Sequence, residues 1–272
     1  MRAIVIGHVE WIDFVRVESV PRPGEIVHAT EAWAEAAGGG AVAAVQFANL
    51  GCETLFFTAL GDDELGRRSL AELESRGVRT HVAWVREPQR RGVTYVDDAG
   101  ERTITVIGDK LRPRGDDDSL PWEELYRCDC VYFTGGDVQA LTKARHARIL
   151  VATARELLTL SRAGVELDAL VGSATDAGER YEAGDLEPPP RLVVATSGKL
   201  GGWAQPGGPF AAATLPGPLD DAYGAGDCFA AGLTFALARG DAPRDALAFA
   251  ARCGAAVVTG RGPYERQLTA DG

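Results

Sequence analysis

Short, mostly apolar runs that end at a glycine or a polar residue recur along this chain, with helix-like stretches between them. The runs at 3–7, 54–59, 130–134, 167–170 and 192–196 are too short for helices and too apolar for half-exposed strands. That is the pattern of strands buried on both faces of a parallel sheet. Helical patterns fill 38–50, 144–158, 226–239 and 242–260, and a further one runs from a cap at Asp62 or Asp63 to Arg76, where Gly77 stops it. Such alternation permits little besides an α/β core, a doubly wound, mostly parallel sheet flanked by helices. Ligands then sit beyond the carboxyl ends of the strands, in the loops after Gly7, Gly38, Thr134, Leu170, Thr196 and Asp221.

Two regions break the alternation. Residues 13–20 and 25–30 alternate about a Pro21-Arg22-Pro23-Gly24 turn, and 81–85, 92–97 and 102–107 are short alternating segments with an Asp98-Ala99-Gly100 turn. Strands inserted at about 13–30 and 81–107 can meet as a small β-sheet lid on the main body. The expected organisation is one domain over 1–272 carrying this lid, with Glu187-Pro188-Pro189-Pro190 as a short stiff connector.

Charge narrows the function. The net charge of −11 repels phosphate backbones and anionic lipid, so neither nucleic acid nor membrane is an expected partner. A small anionic ligand stays open, because backbone amides bind it locally. The longest apolar stretch, 41–60, is interrupted by Gln46, Asn49, Gly51 and Glu53 and does not read as a membrane span. The first seven residues read as a strand rather than a secretory leader, so a cytoplasmic location is expected. Cys52, Cys128, Cys130, Cys228 and Cys253 are odd in number and lie among apolar neighbours, as reduced buried thiols do. Cys128 and Cys130 lack the second pair and the histidines that a metal site needs.

The segment richest in chemistry is Asp220-Asp221-Ala222-Tyr223-Gly224-Ala225-Gly226-Asp227-Cys228-Phe229, which leads into an apolar helix. A Gly-Ala-Gly turn entering a helix leaves amide N–H groups free at its positive end, where phosphate binds well. Asp227 falls in the first helical turn. It reads equally as a helix cap or as a base for a substrate hydroxyl.

Asp221-x-x-Gly224-Ala225-Gly226-Asp227 resembles the second signature of the ribokinase-like carbohydrate kinase (PfkB) family. Ala37-Gly38-Gly39-Gly40-Ala41-Val42-Ala43-Ala44, running to Leu50-Gly51, resembles the family's glycine-rich first signature. Gly61-Asp62-Asp63-Glu64-Leu65-Gly66, Val5-Ile6-Gly7 with Pro23-Gly24-Glu25, and Thr196-Ser197-Gly198-Lys199-Leu200-Gly201 are similar to further family motifs, in the family's order. The resemblance covers almost the whole chain. It implies a ribokinase-like fold and transfer of the ATP γ-phosphate to a hydroxyl of a small sugar, polyol or nucleoside.

Carried over by position, the resemblance makes Asp227 the general base and the amides of Gly224, Ala225 and Gly226 an anion hole for the transferring phosphoryl. Thr196, Gly198 and Gly201 hold the nucleotide, and Gly38, Gly39 and Gly40 let the acceptor lie against backbone. The lid closes over it and excludes water. ATP and Mg²⁺ are the implied cofactors, with room for a monovalent cation. An apolar lid also implies a possible homodimer through it.

The chain departs from the family's pattern in several places. Val42 stands where the family usually has an Asn that binds acceptor hydroxyls. Glu10 stands where Asn is common and Asp13 lies one position beyond the usual Asp; either carboxylate can chelate a diol. Ser173-Ala174-Thr175-Asp176 keeps only the spacing of the family's Asn-x-x-Glu, so Ser173 and Asp176 read equally as Mg²⁺ ligands through water or as a helix start. Ala222 replaces a common Thr. Asp137, after Gly135-Gly136, reads as an acceptor ligand or, slightly better, as a helix cap. Arg102 on the lid can meet an anionic or hydroxylated substrate, and His8 lies nearest the expected acceptor. Phe14, Trp11 and Trp33 can stack on a nucleoside or form lid core.

A catalytically silent relative that senses nucleotide or sugar is the alternative; Val42 and the altered magnesium motif favour it, and the intact Gly224–Asp227 turn opposes it. A dinucleotide oxidoreductase on Gly38-Gly39-Gly40 fits poorly, since those glycines do not follow the first strand as Gly-x-Gly-x-x-Gly.

Overall fold

The computed structural model describes residues 1–270. β1 (Arg2–Ile6) buries both faces: Ala3 and Val5 enter one apolar core while Ile4 and Ile6 enter the other. The chain then leaves the body for a hairpin, β2 (Glu10–Arg16) and β3 (Glu31–Ala37). Gly38, at φ 90°, turns it into α1 (Gly39–Asn49), followed by β4 (Glu53–Gly61) and α2 (Glu64–Ser75). Asp63 caps α2 through the Gly66 amide at 2.9 Å, and Gly77, at φ 82°, releases the chain into β5 (Arg79–Val85). A second excursion makes β6 (Arg91–Val96) and β7 (Arg102–Ile107).

Return to the body gives β8 (Cys130–Phe133), α3 (Val138–Ala144), β9 (Ile149–Thr153), α4 (Leu157–Ala163), β10 (Ala169–Ser173) and β11 (Val193–Thr196). An edge hairpin, β12 (Gly202–Gln205) and β13 (Gly208–Phe210), precedes α5 (Ala225–Arg239) and α6 (Pro243–Val257).

The large sheet runs β13-β12-β11-β10-β9-β8-β1-β4-β5, parallel throughout except for its antiparallel edge hairpin. Helices α1, α5 and α6 share one core with one face, and α3 shares the other core with the opposite face. The second sheet runs β3-β2-β6-β7, two antiparallel hairpins joined in parallel by β2 and β6. No helix among the described residues is long and apolar enough to cross a membrane.

Three local expectations are corrected. The first lid hairpin is β2 with β3, so its second strand is 31–37 rather than 25–30; the two prolines before it leave 17–30 as a loop. Segment 81–85 belongs to β5 at the edge of the large sheet, so the second lid insertion begins at β6. The stretch 144–158 is not one helix. Its Ala, Arg and Leu favour helix, but Ile149–Thr153 is drawn into the sheet as β9 between β8 and β10.

Candidate active site

Parallel strands bring their carboxyl ends to one edge. Register sets Ile6 beside Phe133, Phe133 beside Ala152, and Ser173 beside Thr196, so the loops after β1, β8, β9, β10 and β11 line one crevice. Helix α5 packs behind it with its N-terminus at the crevice.

The turn into α5 is held from below. Asp221 is wholly buried and accepts the amides of Tyr223 (2.8 Å) and Gly262 (3.2 Å). Gly224 then adopts φ 82°, with no side chain capping the helix, so the first-turn amides are left for a ligand. A Cβ on Gly224 would meet Val42 Cγ1 at 3.1 Å and Pro263 at 3.2 Å. Val42 is therefore packing beneath this turn.

Asp227 lies three residues after Gly224, against Gly39: a Cβ there would stand 2.8 Å from Asp227 Oδ1 and 2.9 Å from Thr134 Oγ1. The two glycine-rich segments, far apart in sequence, thus meet at this carboxylate. Burial raises Asp227 from 3.8 to about 6, against the nearby Arg102 charge and with help from Glu179. Lid and body also meet here, since Arg102 Nη1 donates to Ala222 O at 2.7 Å.

His8 and Glu10 form the other end of the crevice, His8 Nε2 lying 3.6 Å from Glu10 Oε1 and Arg90 Nε 2.9 Å from the same oxygen. Burial raises the Glu10 carboxyl, opposed by Arg90 and Lys110. Gly38 fits between these side chains, where a Cβ would meet Glu10 Cγ at 3.2 Å and His8 Cδ2 at 3.4 Å. A Cβ on Gly40 would stand 2.8 Å from His8 O, so helix α1 starts hard against the backbone of the first loop. The Gly38 amide donates to Tyr223 Oη at 3.3 Å. Tyr223 meets Phe14 edge-on at 5.1 Å, and Phe14 stacks on Trp33 at 4.9 Å. Those rings are spent on each other rather than facing the crevice, and Trp11 carries Arg68 on its ring at 4.4 Å.

Asp13 and Asp137 are placed elsewhere. Alternation along β2 sends Asp13 to the face opposite Glu10, where it pairs with Arg91 at 3.1 Å. Asp137 caps α3 through Ala140 N at 2.8 Å and also takes Gly115 N at 2.9 Å.

At the far end, Thr196 Oγ1 donates to Gly172 O at 3.3 Å and Thr196 O accepts Ala174 N at 2.8 Å. Gly198 (φ 53°) and Gly201 (φ 85°) bound a short turn; a Cβ on Gly201 would lie 2.0 Å from Phe210 O, whereas Gly198 opens to free space. Ser173 Oγ lies 3.0 Å from Thr175 Oγ1. Asp176 accepts Gly178 N at 2.8 Å and Arg155 Nη2 at 2.6 Å. Glu179 accepts Ser173 N at 2.8 Å and the same Arg155 nitrogen at 2.5 Å. Two hard carboxylates converging beside this loop suit a magnesium ion carried by nucleotide phosphates, which keeps most of its waters.

Thr134, Arg155 and Glu179 were not apparent from the sequence. Arg155 was hidden by the helical reading of 144–158, and Glu179 lies three residues past the motif spacing. A polar residue ending a buried strand is the one signal that marks Thr134.

A family model described as pfkB family carbohydrate kinase matches residues 2–162 and 137–270. The fructokinase of Salmonella typhimurium is 28% identical over 289 residues, covering 85% of this chain and 90% of that protein. The ATP-dependent ribose-1-phosphate kinase of Halopiger xanaduensis is 27% identical over 297 residues, covering 100% and 96%. A ribokinase of Cryptococcus neoformans var. grubii serotype A, solved in complex with ADP, superposes with a TM-score of 0.76 at 23% identity, covering 99% of this chain and 97% of that one. The likeness extends to the lid and to the edge hairpin, so the fold is that of ribokinase. With a family match from the first strand to the last described residue, this chain belongs to the pfkB family of carbohydrate kinases.

Proposed function

We propose that the protein transfers the γ-phosphate of ATP to a hydroxyl of a small sugar or sugar derivative, with Asp227 as the base. The observation that carries this reading is the meeting of a half-buried carboxylate, an uncapped helix N-terminus and the Gly38–Gly40 backbone at one point of the crevice. A carboxylate raised to about 6 is ionised at neutral pH yet basic enough to take a hydroxyl proton as the oxygen attacks. The amides of Gly224, Ala225 and Gly226 face the charge that builds on the phosphoryl oxygens.

Thr196, Gly198 and Gly201 receive the nucleotide, supported by the exposed turn they bound at the strand edge. Mg²⁺ travels with the nucleotide and neutralises its phosphates; Asp176 and Glu179 would hold its waters once Arg155 turns to the phosphates. Ser173, whose hydroxyl already faces Thr175, orients that segment. Glu10 and His8 hold the acceptor. A nucleoside fits less well than a sugar, because Phe14, Trp33 and Tyr223 pack on one another. Two copies joining through the lid complete the reading, supported by exposed Ile104, Val106 and Ile107 on β7.

The test is ADP release with Mg-ATP across sugars, sugar acids, inositols and nucleosides, with Asp227→Asn as control. A hit lost in the variant supports the reading. ATP binding without any turnover would favour the silent-sensor alternative.

A further inference from the structure

The arginine and lysine side chains acting on His8 and on Asp227 fall into two groups. Arg102 and Arg155 act on Asp227, at the phosphoryl end, and Arg155 reaches Glu10 as well. Arg90, Lys110 and Arg112 gather instead around His8, at the acceptor end, where all three charges oppose its protonation after burial has already done so. The first group is explained by the triphosphate. The second lies about His8 and Glu10 rather than about Asp227.

The second group is incompletely neutralised. Lys110 Nζ lies 3.0 Å from Glu156 Oε1, and Arg112 pairs with the other oxygen of that buried carboxylate. Among the described residues Arg90 has only Glu10 as an ionic partner, at 2.9 Å and without hydrogen-bond alignment. Three cations therefore share two carboxylates, and burial pushes one of those, Glu10, toward its neutral form. Lys110 itself is held below its ordinary value, first by burial and then by its cationic neighbours despite Glu156. Burial and the neighbouring cations hold His8 well below its ordinary value, and its nine-tenths buried side chain leaves Nδ1 without a hydrogen-bond partner. Arg90 Nε and His8 Nδ1, buried without a hydrogen-bond partner, cost stability unless a ligand completes them. In a chain of net charge −11 such a local surplus is not an average property of the surface.

Resting on the kinase reading, we infer that the acceptor is an anionic sugar derivative, a sugar acid or sugar phosphate, whose carboxylate or phosphate is bound by Arg90, Lys110 and Arg112 beside His8. Glu10, neutral or paired with Arg90, then sits beside the anion without repelling it and can donate to a sugar oxygen. A neutral sugar would leave the same cations unmet.

The experiment pairs acceptors that differ in charge: ribose with ribose 1-phosphate, glucose with gluconate, fructose with fructose 6-phosphate. Initial rates of ADP release should favour the acid of at least one pair by about tenfold or more in kcat/KM. Arg90→Met and Lys110→Met should each raise the KM for that acid about tenfold to a hundredfold, the loss expected for a charge-assisted contact, without changing the KM for ATP. Lys110→Arg, which keeps the charge over Glu156, should restore most of it. Arg112→Gln, at a half-exposed position, gives a second reading should loss of Lys110 unfold the protein. Preference for the neutral sugar in every pair, or an unchanged KM in the variants, overturns the inference and leaves the kinase reading standing. If nothing turns over, the kinase reading fails separately, and calorimetry decides the inference: gluconate, ribose 1-phosphate or fructose 6-phosphate should raise the melting temperature of the native protein and not of the variants. No shift with any of the three overturns it.

Discussion

Burial makes Asp227 resist ionisation, and this has a kinetic and a thermodynamic consequence. A base must be unprotonated, so kcat/KM should rise with pH through about 6 and level off above it. Asp227→Asn should lower kcat by about 10²–10⁴-fold with nucleotide affinity retained. A raised carboxyl also means that the native state binds its proton more readily than the unfolded chain between 3.8 and about 6. Stability contributed by this group is therefore greatest at low pH and declines across that window. The Asn variant lacks the decline, so its melting temperature should gain on the native protein between pH 4 and pH 7; a constant difference would contradict the buried, perturbed carboxyl. Gly39 tests the same spot from the other side. Gly39→Ala places a methyl 2.8 Å from Asp227 Oδ1, in a first helical turn that accepts alanine readily. Activity should drop at least about tenfold, since small misplacements of reacting groups are costly, while the melting temperature moves little. Equal activity in the two proteins would mean that Asp227 does not face the acceptor.

At the scale of elements, several polar ties join the lid to the body, among them Arg102 to Ala222 O, the Ala222 amide to Gly100 O and Arg16 to Asp220. Even-numbered residues of β7 lie on the same face of the sheet as Ile12 and Phe14, so Arg102, Ile104 and Val106 all face inward. Of these, only Arg102 reaches the body, through Ala222 O and over the Tyr223 ring at 5.9 Å. Arg102→Ala should loosen β6 and β7, seen as faster amide hydrogen exchange there and unchanged exchange in β1 and β8; uniform exchange would show the lid held by its other contacts. The lid also shows what sequence could and could not reveal. Gly38, Gly77 and Gly224 were readable because positive φ demands glycine, and Asp63 because a cap has a fixed offset from its helix. Strand β3 was not, since Glu31–Ala37 is alanine-rich and gains its strand geometry only from pairing with β2. For the same reason β9 was hidden, and with it Arg155. The placing of Asp227 and Glu10 at the crevice was legible from motif position; that of Arg90 beside Glu10 was not, because lid and body loops converge only in the fold.

For the whole molecule, net charge and the exposed lid act against each other. Copies of a chain carrying −11 repel one another, and the repulsion weakens as salt shortens the Debye length from about 30 Å at 0.01 M to about 8 Å at 0.15 M. Burial of Ile104 and Val106, which are 39% and 43% exposed, depends far less on salt. Pairing through the lid, as proposed, should therefore strengthen as salt rises over that range, the reverse of an association held by ion pairs. Light scattering across a salt series measures this directly. Ile104→Lys with Val106→Lys should give monomers at every ionic strength, because the change adds charge to the only apolar strip that β7 exposes on its inner face. Both positions are already exposed, so folding should survive the substitution. A protein that stays monomeric at tens of micromolar across the series would mean that β7 stands free, and its inner apolar face would then be left for the closed lid over the acceptor. Hydrogen exchange separates the two cases, since closure protects β7 only when acceptor and nucleotide are both bound, whereas pairing protects it in their absence and in proportion to protein concentration.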